Sequence, residues 1–93
     1  MTKEMMHIDE NMNIYFDCRS HAGKTDVCIM CSTLCNVLIV ACSEHGIEPK
    51  EDKDGHLSFD IEKAPSELVR IFGCVQKVFN AVGSQFPDHL MVY

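Results

Sequence analysis

The sequence predicts an α+β fold, a two-layer sandwich ordered β-β-α-β-β-α(-β), with two helices on one face of a mostly antiparallel sheet. Three observations predict it. Residues 14–20 alternate, with Ile14, Phe16 and Cys18 on one parity and Tyr15, Asp17 and Arg19 on the other, the mark of a half-buried strand. Two long segments, about 27–44 and 65–82, repeat apolar residues at helical spacing. Between them, Asp54-Gly55 is a strong tight-turn dipeptide.

In chain order, residues 4–8 read as a weak first strand, followed by a turn cluster at Asp9-Glu10-Asn11. In the second strand Ile14, Phe16 and Cys18 share one face, and Tyr15, Asp17 and Arg19 the other. His21 to Thr25 is a short connection in which Gly23 is free to take a positive φ. The first helix is predicted from Val27 to Glu44, with Asp26 as N-cap and Gly46 as the glycine beyond its end. Residues 47–51 and 56–62 form the predicted hairpin. Pro65 suits the first turn of a second helix. Leu68, Ile71, Phe72, Val75, Val78, Phe79 and Val82 make its core-facing stripe, and Gly83 is expected to end it. Phe86-Pro87 turns the chain, and His89 to Tyr93 is a short last strand.

Ninety-three residues are expected to form a single domain spanning 1–93. A formal net charge of −6, with no run of Lys or Arg, disfavours nucleic acid and anionic membranes as partners. The longest apolar run, Val37 to Cys42, is far short of a membrane span, and Met1-Thr2-Lys3-Glu4 lacks the layout of a signal peptide. A cytoplasmic location is therefore expected. No cofactor is expected.

Four of the six cysteines, Cys28, Cys31, Cys35 and Cys42, fall in the first predicted helix. Neighbours on one helix rarely meet disulfide geometry, so reduced thiols are expected. On a helical wheel Cys31, Cys35 and Cys42 join Leu34 and Leu38 on the apolar side, as small core hydrophobes. Cys28 falls at the boundary, beside Ser32. Metal ligands usually come from loops and knuckles that let four converge, whereas these thiols run along one helix, so no metal is expected.

Cys28 occupies the first turn, where unpaired amides and the helix dipole favour a thiolate. His21 leaves the preceding strand and is within reach across the short loop, where an imidazole can deprotonate the thiol and later protonate a leaving group. Asp26 is available to orient that imidazole, or to cap the helix. Spacing alone leaves open a plainer arrangement, a buried Cys and a surface His that never meet.

Ser20-His21-Ala22-Gly23, then Asp26-Val27-Cys28 and Ser32, with Phe86-Pro87 after the second helix, resemble the bacterial ribosomal-processing cysteine proteases (Prp, YsxB-like). The resemblance runs from about residue 14 to the C-terminus. It implies a thiol protease with Cys28 as nucleophile and His21 as base, supported by Asp26, Ser32, Ser20 and Gly23. It also implies homodimers and a protein substrate with a hydrophobic, aromatic-containing cleavage segment. In the family that substrate is a large-subunit ribosomal protein with a short N-terminal extension, or in phage relatives a capsid or scaffold protein. The chain departs from the family pattern in a shorter loop between His21 and Cys28, an Asp26 one residue closer to the Cys, and Ser20 in place of Gly. Those departures motivate a second reading, a catalytically lapsed homodimeric binding module of the same fold.

Overall fold

The computed structural model describes residues 1–93 as seven elements: β1 (Thr2–Ile8), β2 (Ile14–Arg19), α1 (Thr25–Ser43), β3 (Glu51–Lys53), β4 (His56–Ile61), α2 (Ser66–Gln85) and β5 (Leu90–Val92). The five strands form one sheet in the order β3-β4-β2-β1-β5. Three neighbouring pairs are antiparallel and β1–β5 is parallel, so the sheet is mixed, with both helices packed on it.

Register fixes the core. Phe16 stands opposite Met6 of β1 and Phe59 of β4, and Cys18 opposite Glu4 and Leu57. Above that row sit Phe72 and Phe79 of α2, with Phe16–Phe72 at 6.2 Å and Phe59–Phe72 at 5.8 Å, both edge to face. All four rings are fully buried. Each contributes roughly 1.5–3 kcal/mol by leaving water, and the edge contacts add to that.

The first strand starts earlier than its sequence suggests. Its inward positions are Thr2, Glu4, Met6 and Ile8, and the polar first two hide the start of a pattern that Met6 and Ile8 carry. The chain folds it anyway because β1 is paired on both sides, to β2 and to β5.

The first helix begins at Thr25, with Lys24 as N-cap and no side-chain capping bond. Asp26 is therefore not the N-cap. Gly23 at φ 78° turns the chain, Lys24 is extended, and helical geometry is under way before residue 26. The Asp26 carboxylate instead accepts from the Val27 amide at 3.0 Å, still favourably placed in the positive first turn. At the other end the Ile47 amide donates to the Cys42 carbonyl and the Gly46 amide to that of Ser43, with Gly46 at φ 69°. These two bonds make a Schellman closure around the expected glycine.

By length and mean hydropathy (1.9) α1 would qualify to cross a membrane, although no single apolar run in it does. Here it is laid along the sheet, with Val27, Cys31, Leu38 and Cys42 buried. Cys35 is only half-buried, and Ile29 and Val40 are about 60% and 59% exposed.

The Asp54-Gly55 turn forms as expected, but its first strand is Glu51–Lys53 rather than 47–51. Pro65 precedes α2 as its N-cap. Of the predicted stripe Leu68, Phe72, Val75, Phe79 and Val82 are buried, Ile71 is partly so, and Val78 faces out at 45% exposure. The helix does not stop at Gly83. It runs on to Gln85, and the glycine instead marks where α2 meets β5: a Cβ there would stand 3.0 Å from Val92 Cγ2.

Candidate active site

The strand β2 ends at Arg19, and the next four residues form a hook. Ser20 takes a left-handed φ of 72°, held from both sides: its amide donates to the Gly55 carbonyl at 2.7 Å, and its carbonyl accepts from Thr2 Oγ1 at 3.1 Å. A residue with a Cβ costs roughly 1–2 kcal/mol in that conformation. This is the physical sense of a glycine at the position, and the two bonds offset the cost of a serine there. Ala22 is buried, and its carbonyl accepts from His89 Nδ1 at 3.0 Å. His21, between these anchored neighbours, projects outward with its side chain 66% exposed.

The ring of His21 lies against the β3–β4 turn. A Cβ at position 55 would stand 3.2 Å from His21 Nε2, so the ring would have to shift by a few tenths of an ångström. Gly55 also has φ 77°, which the turn requires. Asp54 Oδ1 is 3.7 Å from the same Nε2, from a side chain 95% exposed. An exposed pair at that separation contributes little energy, though it biases the ring's orientation.

His21, Cys28, Ser32 and Ser20 line one cleft of about 350 Å³, whose far wall is the hairpin from Asp52 to Leu57. His21, Cys28 and Ser32 also border the adjoining opening, beside Gly23, Lys24, Thr25 and Ile29. The sequence-predicted residues are thus gathered at one place, with one exception. Asp26 lines neither opening. Its carboxylate is engaged with the Val27 amide and lies 3.8 Å from Lys24 Nζ. The carboxylate beside His21 is Asp54.

Asp54 and Gly55 are the residues that sequence reasoning missed. The dipeptide is legible as a turn, but its seat against His21 depends on the pairing of β2 with β4, where Arg19 opposes His56.

The thiols divide by surroundings. Burial pushes Cys31 and Cys42 up to about 11. Cys18 is raised further, first by contact with the Cys35 thiol and then by burial. These three stay neutral thiols at physiological pH. Cys28 is half-buried at the cleft mouth, four residues into α1, its own amide already donating to the Lys24 carbonyl at 2.9 Å. No three His, Cys, Asp or Glu side chains converge as a metal-holding set.

No family model matches the sequence, and no curated protein does. The fold does have a match among solved structures. The chain superposes on the essential ribosomal processing protease Prp from S. aureus, solved with a covalently linked product peptide, with a TM-score of 0.79. The match covers 99% of this chain and 97% of that one, at 13% sequence identity. Two helices on a mixed five-stranded sheet is thus a fold this chain shares with that protein.

Proposed function

We propose that this chain is a cysteine endopeptidase that cuts a protein substrate at one site, with Cys28 as nucleophile and His21 as its base. The observation that carries the reading is the convergence of these two side chains on one cleft, from the end of a strand and the start of a helix. The fold shared with the S. aureus protease, which holds a covalently linked product peptide, supports it.

In this reading His21 takes the Cys28 proton and the thiolate attacks the scissile carbonyl. The imidazolium then protonates the leaving amine, and water releases the acyl group from sulfur. Ser32, one turn beyond Cys28, is a donor toward the developing oxyanion, since the Cys28 amide is already committed to Lys24. Ser20 and Gly23 shape the hook that aims His21, and Asp26 tunes the start of the helix. The substrate segment is hydrophobic and aromatic-containing, on a ribosomal protein of the large subunit or a phage capsid or scaffold protein. The protein works in the cytoplasm as a homodimer, for which the exposed Ile29, Val37 and Val40 of α1 offer apolar surface. The domain is the whole of 1–93.

The test is incubation with peptides bearing aromatic-rich N-terminal extensions, followed by mass spectrometry. Cleavage that falls at least about a thousandfold in both Cys28→Ala and His21→Ala is the expected result. Binding without cleavage in the unaltered protein would instead establish the lapsed binding module, favoured by the short connection between His21 and Cys28.

A further inference from the structure

Glu4 points from β1 toward the helices and is completely buried. Gln76 of α2 donates through Nε2 to Glu4 Oε1 at 3.1 Å and to Asn80 Oδ1 at 3.2 Å. Two buried oxygens then remain without a donor, Glu4 Oε2 and Gln76 Oε1. Left so, each carries a desolvation penalty. As acceptors they cannot satisfy one another, but one proton satisfies both. A carboxylic acid presents an O–H beside a C=O, and a primary amide an N–H beside a C=O. Two such planar groups close a ring with two hydrogen bonds running in opposite senses. The N–H half of that ring is already in place, and the two orphaned oxygens are the atoms its other half would use.

We propose that Glu4 and Gln76 form a cyclic carboxylic acid–amide pair, a proton-dependent clamp between β1 and α2 that closes when Glu4 is protonated and opens when it ionises. The surroundings agree. On β2 the facing titratable group is Cys18, Glu4's register partner, and on α1 it is Cys31, with Cys35 behind Cys18. Nearby on α2 are the uncharged Gln76 and Asn80, while Arg70 and Lys77 are exposed. The neighbour on β5 is Val92, with the Tyr93 amide donating to the Glu4 backbone carbonyl. Thr2 is the inward residue before it on β1. No cation compensates the carboxylate, and burial raises its pKa from 4.5 to about 7.

The sign follows by linkage. The folded protein holds this proton more tightly than the unfolded chain, so the clamp's stabilisation is complete below about 4.5 and is lost as the pH rises through about 7. Ionised Glu4 also sets a negative charge behind Cys18 and Cys31, both of which line the cleft. The clamp is independent of the peptidase reading.

Urea denaturation between about pH 5 and pH 8, on the unaltered protein and on Glu4→Gln, tests it. An amide at position 4 closes the same ring without a proton. The two proteins share every other titratable group, so the difference between them isolates Glu4. The folding constant of the unaltered protein should fall relative to Glu4→Gln by up to about tenfold per pH unit until it levels past neutrality. Parallel curves would overturn the proposal. Should Glu4→Gln not fold, carbon-13 NMR of the Glu4 carboxyl in the unaltered protein decides: a midpoint near neutrality supports the clamp, and one in the ordinary carboxylate range overturns it.

Discussion

Cys28 and Cys42, near opposite ends of α1, sit in contrasting surroundings. Cys42 is fully buried and its thiol is raised to about 11, so it acts as a small apolar side chain with a weak donor. Cys42→Ser puts a hydroxyl where no polar partner waits, at a cost of about 1–3 kcal/mol. That loss should appear as a lower urea midpoint with peptide cleavage unchanged at temperatures where the variant is folded. Cys28→Ser, half-buried at the cleft mouth, should leave the unfolding free energy within about 0.5 kcal/mol of the original and, in the proposed mechanism, abolish cleavage. Cys35, expected from the helical wheel to be a core thiol, is half-buried and touches Cys18, so it is the poorer test of a purely structural cysteine. Reversal of the two phenotypes would reverse the assignment of roles.

At the scale of elements, the β3–β4 hairpin does more than reverse the chain. Its turn accepts the Ser20 amide and supplies the flat spot on which His21 rests. Gly55→Ala sets a methyl group 3.2 Å from Nε2 and forces a side chain into φ 77°. The strained backbone costs roughly 1–2 kcal/mol. With His21 as the base in the proposed mechanism, the displaced imidazole should lower kcat by more than tenfold, because small misplacements of a reacting group are expensive. Asp54→Asn, which leaves the turn's backbone and the ring's seat in place, provides the control. Equal activity losses in Gly55→Ala and Asp54→Asn would point to charge, rather than the glycine's absent side chain, as what the turn contributes.

At the scale of the whole molecule, two carboxyl groups give stability opposing dependences on pH. On the open face of the sheet, Asp17 receives Arg19 through two bonds of 2.8 and 2.7 Å and lies 3.2 Å from His56 Nε2. The Arg19 hydrogen bonds, ahead of the His56 contact, hold the Asp17 carboxyl below its ordinary 3.8. A group whose folded pKa is lowered stabilises above its unfolded value and loses that contribution as the pH falls. Asp17 therefore weakens the fold below about pH 4, while Glu4 weakens it as the pH climbs toward and past 7. Urea midpoints taken across pH should be highest at mildly acid values. Asp17→Asn should flatten only the acid limb. An acid limb unchanged in Asp17→Asn would assign acid unfolding to other carboxyls.

Sequence by itself determined the elements whose local pattern and tertiary role agree. The alternation of Ile14, Phe16 and Cys18 is the core face of β2, Gly46 closes α1, and the spacing from Leu68 to Val82 is the buried side of α2. The motif resemblance singles out His21 and Cys28, whereas their spacing alone leaves open whether they meet; the structure sets both at one cleft. Only the tertiary structure decided the rest, because those features depend on which distant segments meet. The strand β1 buries Thr2 and Glu4, whose polarity hides its pattern, and takes its form from partners on both edges. Gly83 looks like a helix stop and is a contact with Val92, a fact that exists only once β5 has come alongside β1. Asp54 and Gly55 reach His21 through the pairing of β2 with β4. Which distant strands become neighbours is a long-range choice that no local spacing encodes, although the apolar alternation sets their register once they meet.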